Sequence, residues 1–225
     1  MRSSIALVLV LVASCARPPA EPVSPPTTAQ LPQAFYEDAL RAGKAVYRVD
    51  PKQSLVVVEV RRGGSLARFG HDHVVAARNL EGFVAPEAGR ADLRVALDGL
   101  AVDEPELRKA AGLDTQPSES DIAGTRANML ERVLETAKFP HALIRIDRQA
   151  DDKLGVTLSL HGVTRALSAP ASVLVEAGEV RVSGRMEFNQ TDFGITPFSV
   201  LGGAVAVQDR LALSFSVRAL RAPEH

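Results

Sequence analysis

The chain has 225 residues, of which 46% are apolar and 24% are charged. This is enough apolar material for one compact domain, or two small ones, and it excludes fibrous, collagen-like and wholly disordered proteins. The 26 basic side chains nearly balance 27 acidic ones, so we expect no nucleic-acid partner. Only eight Phe and two Tyr are present, with no Trp, and aliphatic side chains must therefore form most of the core.

The amino terminus has the pattern of an export signal. Arg2 provides a positive charge, the run Ile5–Val12 is apolar, and small residues precede Cys15, the only cysteine. The apolar run is far shorter than the roughly 20 residues that cross a bilayer, so residues 1–14 read as a signal peptide. The sequence therefore predicts an exported chain with no internal disulfide framework.

A cysteine placed directly after small residues resembles the lipobox of bacterial lipoproteins. The resemblance implies that Cys15 is acylated and anchors the mature chain to a membrane. The residue after the cysteine is Ala16 rather than Asp. By analogy with bacterial lipoproteins, this favours anchoring in the outer membrane, on its periplasmic side. A plain cleaved signal with an incidental thiol remains the alternative.

Residues 15–43 are predicted to form a linker that ends in a short helix. Six prolines fall between Pro18 and Pro32, which favours an extended, solvated spacer. Phe35, Tyr36 and Leu40 then follow at near-helical spacing. We expect the folded domain to cover residues 44–222.

From residue 45 onward, apolar side chains alternate with polar ones. The clearest runs are Leu93–Leu97, Leu154–Leu160, Val180–Phe188 and Leu211–Val217. Regular alternation is typical of strands with one solvated face, hence of an antiparallel sheet, because covered parallel strands read as continuous apolar runs.

Two segments interrupt this pattern with helical signals. Residues 103–113 begin with Pro105 and Glu106, and residues 120–138 carry an amphipathic stripe that ends before Pro140. The apolar face of the second segment should cover an open end or an edge of the sheet. We therefore predict an all-β fold with a small helical insertion, closed as an antiparallel, lipocalin-like barrel of about eight strands.

A barrel of this size either fills its interior with side chains or holds one small ligand. The predicted interior is mostly aliphatic, and periodicity alone does not decide between a packed core and an apolar cavity. The predicted interior residues are Val58, Phe83, Leu93, Val95, Ile144, Val156, Leu158, Val182, Met186, Phe188, Leu213 and Phe215.

Five segments together resemble the YceI-like lipid-binding family. They are Tyr47-Arg48-Val49-Asp50, Leu80-Glu81-Gly82-Phe83, Lys138-Phe139-Pro140, the stretch Leu158–Arg165 that contains His-Gly-Val-Thr-Arg, and Asp192-Phe193-Gly194-Ile195. The resemblance implies an exported lipocalin-like barrel whose elongated cavity takes the tail of a polyisoprenoid or quinone-like lipid. By the same resemblance, Asp192 and Phe193 are expected near the mouth or the lipid head group.

The sequence departs from that family at two places. A basic residue usually shortly precedes the Asp-Phe-Gly element, whereas this chain has Asn189-Gln190-Thr191 there. The segment Phe69-Gly70-His71-Asp72-His73 is the second departure, because many relatives lack the histidine pair.

Residues two apart on a strand share a face, so His71 and His73 are candidates for three different roles. They can bind one metal ion, with His141 or Asp72 completing the site, although spacing fixes no third ligand. They can line the barrel mouth and touch a lipid head group. They can also make structural hydrogen bonds.

The sequence contains no nucleophile elbow, zincin helix, phosphate-binding glycine loop or Cys-x-x-Cys pair. We therefore expect a non-enzymatic protein that requires no cofactor and holds an apolar lipid. The alternatives are a metal-binding module that uses His71 and His73, and a structural lipoprotein with a filled barrel. The sequence also leaves open a homodimer.

Overall fold

The computed structural model describes residues 30–113, 115–149 and 153–222. Cys15, the predicted signal peptide and most of the proline-rich linker lie outside the described residues. The helices are α1 (Gln33–Arg41), α2 (Pro105–Ala110) and α3 (Glu119–Asn128), the last continued by a π-helical turn at Met129–Val133. The strands are β1 (Tyr47–Val49), β2 (Leu55–Val60), β3 (Arg62–Gly63), β4 (His73–Ala77), β5 (Leu80–Ala85), β6 (Arg90–Ala96), β7 (Ala101–Val102), β8 (His141–Arg148), β9 (Lys153–Leu160), β10 (Val163–Val175), β11 (Glu179–Asn189), β12 (Ser199–Val200), β13 (Val205–Val207) and β14 (Arg210–Arg221).

The main sheet closes into an antiparallel barrel of eight strands. Its ring runs β1-β5-β6-β8-β9-β10-β11-β14 and returns to β1. β14 is long enough to pair with two strands on the same side. Its Ala219 pairs with Val49 of β1, and its Phe215 pairs with Val56 of β2. β2 and β4 extend the wall, with β7 beside β4, while β12, β13 and β3 form a separate small sheet. The predicted fold class is confirmed.

Alternation correctly assigned the inner face of the strands. Leu93, Val156, Leu158 and Val180 are buried in one continuous core. At one point the packing requires a glycine, because a Cβ on Gly184 would lie 2.6 Å from the Phe215 ring and 2.5 Å from the carbonyl oxygen of Pro170. The ring of Phe215 therefore occupies space that only a glycine leaves open.

β10 changes neighbours halfway along its length. Residues Val163–Pro170 pair with β9, whereas Ala171–Val175 pair with β11. The change falls at Pro170, which has no N–H to contribute to a ladder. The 3-10 turn Gln190–Phe193 contacts both β10 and β11.

Phe193 fills the space at this turn, and this corrects its predicted place at the mouth. Its side chain is fully buried, and its ring lies 5.4 Å from that of Phe188 in an edge-to-face arrangement. Gly194 follows with a φ of 70° and brings Ile195 into the same core. The Asp-Phe-Gly element is thus a structural plug between two strands, and Asp192 alone of the predicted pair is exposed.

α1 packs against the outer wall of β5, and this corrects the predicted inward position of Phe83. Leu80 faces inward, so Phe83, three residues later, faces outward, where its ring lies 5.1 Å from that of Tyr36. The Tyr36 hydroxyl donates a 2.7 Å hydrogen bond to Asp92, and burial together with this bond raises the Tyr36 pKa. An apolar side chain on the outer face is thus explained by a helix that covers it.

The segment Glu119–Leu134, hereafter the lid, covers one end of the barrel. It begins with a capping box between Ser118 and Asp121, and its apolar side chains Met129, Val133 and Leu134 face the barrel interior. The predicted covering role of this helix is confirmed. Among the described helices, none has the length and apolarity needed to span a membrane.

Candidate ligand cavity and its polar rim

The barrel encloses an apolar cavity of about 230 Å³ beneath the lid. Ten of the twelve predicted interior residues line it, and they come from strands all round the ring: Val58, Leu93, Val95, Ile144, Val156, Leu158, Met186, Phe188, Leu213 and Phe215. The structure therefore brings together residues up to 157 positions apart in sequence, Val58 and Phe215, which lie on the paired strands β2 and β14. Phe83 lies outside this cavity for the reason given above.

Val182 lines a second, smaller cavity at the opposite end of the barrel. This space of about 70 Å³ shares Leu93, Ile146 and Val217 with the wall of the main cavity. Val173 and Val175 form one side of it. We call this opening the mouth. An apolar axis thus runs from the lid, past the shared residues, to the mouth.

Two arginines stand on the side of the mouth formed by β6 and β8. Arg90 is held by a 2.7 Å bond to Asp92, and its guanidinium stacks 4.2 Å from the centroid of the Phe35 ring. Arg148 is exposed and also lines the opening. The mouth therefore combines an apolar side with a positively charged one.

Gln190 is the exception in the otherwise apolar cavity, and sequence analysis did not select it. Its side chain is buried, and its Nε2 donates a 2.9 Å hydrogen bond to the carbonyl oxygen of Gln208. The described lining contains no charged side chain. Gln190 belongs to the segment Asn189-Gln190-Thr191, in which the sequence lacks the family's usual basic residue. This difference from the family therefore includes a residue that lines the cavity.

The other missed lining residues come from two sources. Val56 and Val60 share the face of Val58, so strand alternation could have identified them. The lid residues Met129 and Val133 belong to the amphipathic stripe that the sequence did reveal, but their contact with this end of the barrel depends on tertiary packing.

His73 is held in a buried ionic network at the lid end of β4. It pairs with Val60, and its Nδ1 lies 2.6 Å from Oδ2 of Asp103. The fully buried Asp103 carboxylate also accepts bonds from the Val74 N–H at 3.0 Å and from Arg108 at 2.6 Å. Burial by itself raises the pKa of Asp103, but these hydrogen bonds outweigh it and hold the pKa below its usual value.

His71 does not complete a metal site with His73. The ring centroids lie 6.3 Å apart, and the buried Nδ1 of His71 has no hydrogen-bond partner in the described part of the chain. Asp72 is engaged elsewhere, since it accepts a 2.7 Å bond from the Arg62 N–H. Within residues 30–113, 115–149 and 153–222 no cluster of three or more potential metal ligands occurs.

The four residues predicted at the mouth or head group are not brought together. His71 and His73 lie at the start of β4, whereas Asp192 and Phe193 follow β11, with β2 and β14 between them in the sheet order. None of the four lines the mouth, because β2 and β14 separate β4 from the hairpin of β10 and β11, and Asp192 and Phe193 follow the end of β11 that is remote from the tip of this hairpin. The interior predictions thus agree with the structure better than the predictions for the polar residues.

Residues 47–219 match the sequence profile of the YceI-like domain. The chain belongs to this family. Among solved structures, it is similar to a polyisoprenoid binding domain from Saccharophagus degradans implicated in plant cell wall breakdown, with 14% identity, a TM-score of 0.56, and coverage of 80% of this chain and 100% of that one. It is also similar to BcnA from Burkholderia cenocepacia, with 14% identity, a TM-score of 0.54, and coverage of 76% and 99%. No curated protein matches the sequence.

Identities this low establish a shared fold and nothing finer. The YceI-like chains have in common the closed antiparallel barrel, and the matched residues begin at Tyr47 in β1 and end at Ala219 in β14. The match therefore covers the whole ring of strands that encloses the cavity.

Proposed function

We propose that this YceI-like protein binds an apolar lipid of the polyisoprenoid or quinone-like class in its barrel cavity, for sequestration or transport and without catalysis. The observation that carries the proposal is a 230 Å³ cavity whose described wall is apolar except for Gln190. The similar domain from Saccharophagus degradans is described as polyisoprenoid binding, which supports the same ligand class here.

The size of the cavity favours a ligand over a filled barrel. An engineered apolar cavity of about 150 Å³ stays dry and binds benzene. A cavity of 230 Å³ accommodates, by proportion, about nine carbons, or roughly two isoprene units. Burial of apolar surface, at about 25 cal/mol per Å², then drives binding, and a single amide contributes little beyond orientation.

The absence of charge in the described lining defines which part of the lipid enters. An ion buried without a partner is costly, so the segment inside the cavity is uncharged. Gln190 can offer a neutral hydrogen bond to a hydroxyl or carbonyl group, whereas any charged group remains at the mouth, near Arg90 and Arg148. A neutral isoprenoid chain fits these conditions.

The test is a substitution that fills the cavity, compared with its neighbour on the outer face. Val58→Phe places a ring inside the cavity, and we expect the affinity for a fluorescent isoprenoid to fall at least about tenfold. Val57→Phe adds the same volume on the opposite face of β2 and should leave the affinity unchanged. Equal affinities for Val58→Phe and the wild type, with both folded, would contradict the proposal.

The protein is further proposed to be exported and anchored through an acylated Cys15 on the periplasmic side of the outer membrane. The support is the sequence pattern alone. Two acyl chains give stable anchoring, whereas one binds only marginally. Cys15→Ser should therefore move the protein from the membrane fraction to the soluble fraction after cell breakage. A chain that stays in the membrane fraction after this substitution is held by something other than Cys15.

A further inference from the structure

The polar side chain of Gln190 is fixed in the apolar wall of the main cavity by hydrogen bonds. Only 5% of the residue is exposed. Its backbone N–H donates to the Asp209 carbonyl at 3.0 Å, and its carbonyl accepts from the Ile195 N–H at 3.2 Å. Its side-chain Nε2 donates to the Gln208 carbonyl at 2.9 Å. Backbone and side chain together therefore hold the amide group in one position.

The residue that holds this amide is itself tied to the barrel wall. Gln208 donates its backbone N–H to the Arg61 carbonyl at 2.7 Å and its side-chain Nε2 to the Arg62 carbonyl at 3.1 Å. These bonds reach the chain directly after Val60, which lines the same cavity. A group that is fixed in advance loses little conformational freedom when a ligand binds, so it can contribute to affinity and selectivity.

The amide of Gln190 keeps unused hydrogen-bonding capacity. A backbone carbonyl only accepts hydrogen bonds, so the atom that faces Gln208 is Nε2 and the other is Oε1. In the part of the chain that the structure describes, no group donates to this Oε1, and one of the two N–H groups on Nε2 has no acceptor. The other described lining residues are apolar. A buried amide oxygen without a donor is costly, and a ligand that supplies the donor removes this cost.

We propose that Gln190 selects isoprenoids that end in a hydroxyl group, and that it binds this hydroxyl beneath the lid while the apolar chain points toward the mouth. The inference rests on the proposed function, for which it names the ligand class and the orientation. A hydroxyl donates to Oε1 and accepts from the remaining N–H, so it satisfies both groups. A quinone carbonyl or an ether oxygen only accepts, and it leaves Oε1 without a donor.

The position of Gln190 along the barrel determines the orientation of the ligand. Gln190 directly follows β11, whereas Val180 and Val182, near the start of that strand, line the mouth. The lid residues Met129 and Val133 line the same cavity as Gln190. A hydroxyl bound to Gln190 therefore lies at the end remote from the mouth, and the chain that carries it follows the apolar axis outward.

Water is a less suitable partner for this amide than an alcohol. A buried water molecule needs about two to four polar partners, and Gln190 supplies the only polar side chain among the described lining residues. An alcohol binds the same two amide groups and also fills the apolar space. A water molecule that satisfied the amide equally well would remove any preference for alcohols, and the first test detects this outcome.

The first test compares geraniol, an alcohol of two isoprene units, with its methyl ether. Each competes with one fluorescent isoprenoid for the full chain carrying Cys15→Ser. We expect geraniol to bind at least about tenfold more tightly than the ether. Gln190→Met removes both amide groups at similar length, so this preference should fall at least about tenfold. Asn189→Met makes a similar exchange at the exposed neighbouring residue and should leave the preference unchanged.

The possible results separate this inference from the proposed function. If both compounds displace the probe with equal affinity, or if the preference survives Gln190→Met, the role of Gln190 is overturned and the apolar cavity remains a lipid site. If neither compound displaces the probe, both proposals are overturned. The comparison of the two compounds on the unsubstituted Gln190 does not depend on whether Gln190→Met folds.

The second test examines the orientation. A prenyl alcohol of four isoprene units carries a photoreactive diazirine at the end opposite the hydroxyl, and the labelled peptides are identified by mass spectrometry after irradiation. We expect the label on the hairpin residues that line the mouth, within residues 173–182. Excess geraniol should suppress the labelling, because it occupies the same site. Label on the lid turn Met129–Val133 would show that the hydroxyl faces the mouth, contrary to the proposed orientation.

Discussion

Individual residues acquire their roles here from partners that lie far away in the sequence. His73 attracts attention as half of a histidine pair, yet its ring is bound to Asp103, thirty positions later. Asp103 has a φ of 57° and a buried carboxylate, and it joins β4 to α2 through Arg108. One histidine of the most conspicuous chemical motif in the sequence is therefore held in a structural ionic network, at the end of the barrel where the lid lies.

Asp103→Asn should destabilise the fold by about 3–5 kcal/mol at pH 7, because it leaves the buried Arg108 without its counter-charge. Asn tolerates the positive φ at this position, so the backbone need not change. The depressed pKa of Asp103 stabilises the native state above the unfolded carboxyl pKa of about 3.9, and this contribution is lost as the pH falls through the lower native value.

The measurement is urea unfolding of the wild type and Asp103→Asn between pH 7 and pH 2.5. The difference in the free energy of unfolding should stay nearly constant down to about pH 4 and then shrink. A difference that grows on acidification would show that the carboxyl pKa is raised in the folded state, contrary to the network described above.

Leu158→Asp tests the inner face at a single position. Leu158 is buried in the cavity wall, and an aspartate there must either carry an unpaired charge or take up a proton, each at the expense of several kcal/mol. We expect loss of both folding and lipid retention. Thr157→Asp is the matched control, because Thr157 faces outward beside Arg145. This variant should unfold at the same denaturant concentration as the wild type. Circular dichroism with lipid extraction measures both properties.

At the scale of elements, the lid is attached to the barrel through its middle and through the residue that follows it. Arg126 donates to the carbonyls of Asp98 and Leu100 in the connection after β6. After the lid, Glu135 bonds His161 in the β9–β10 turn, and the His161 ring lies 4.4 Å from that of Phe139. The π-helical turn lies between these attachments, where it places Met129 and Val133 over the cavity. Such turns often mark functional sites in helices.

Arg126→Ala should loosen the lid and accelerate ligand release. The arginine is exposed, so we expect a loss of about 0.5–1.5 kcal/mol and an increase in dissociation rate of up to about tenfold. Stopped-flow release of a fluorescent isoprenoid gives this rate. Glu131→Ala is the control, because Glu131 is an exposed lid residue without a described hydrogen bond. Equal rates for the two variants would mean that ligand leaves through the mouth alone.

At the scale of the whole molecule, the apolar axis limits how much of a lipid the barrel encloses. The main cavity and the mouth are joined at Leu93, Ile146 and Val217. Their volumes of about 230 and 70 Å³ are small beside a long polyisoprenoid. If a polyisoprenoid binds as proposed, only its terminal units fit inside, and the remainder would pass out through the mouth.

Affinity should therefore rise with chain length and then level off. Each buried CH₂ contributes about 0.8 kcal/mol, so a second isoprene unit should strengthen binding strongly, whereas units beyond about the third should add little. Competition by prenyl alcohols of 5 to 40 carbons against one fluorescent probe measures this dependence. Affinity that continues to rise to 40 carbons would show that the barrel expands around its ligand.

The sequence by itself determined the strand periodicity, the inward face of four strands, the helical insertion and the family. These features are local, because a two-residue period assigns each side chain to one of two faces and the segment Asp192–Ile195 is contiguous. The tertiary structure decided what covers each face. α1 covers the outward-facing Phe83, Phe193 fills the space beside the point where β10 changes partner, and Asp103 binds His73. Such assignments depend on contacts between distant segments, which periodicity does not encode.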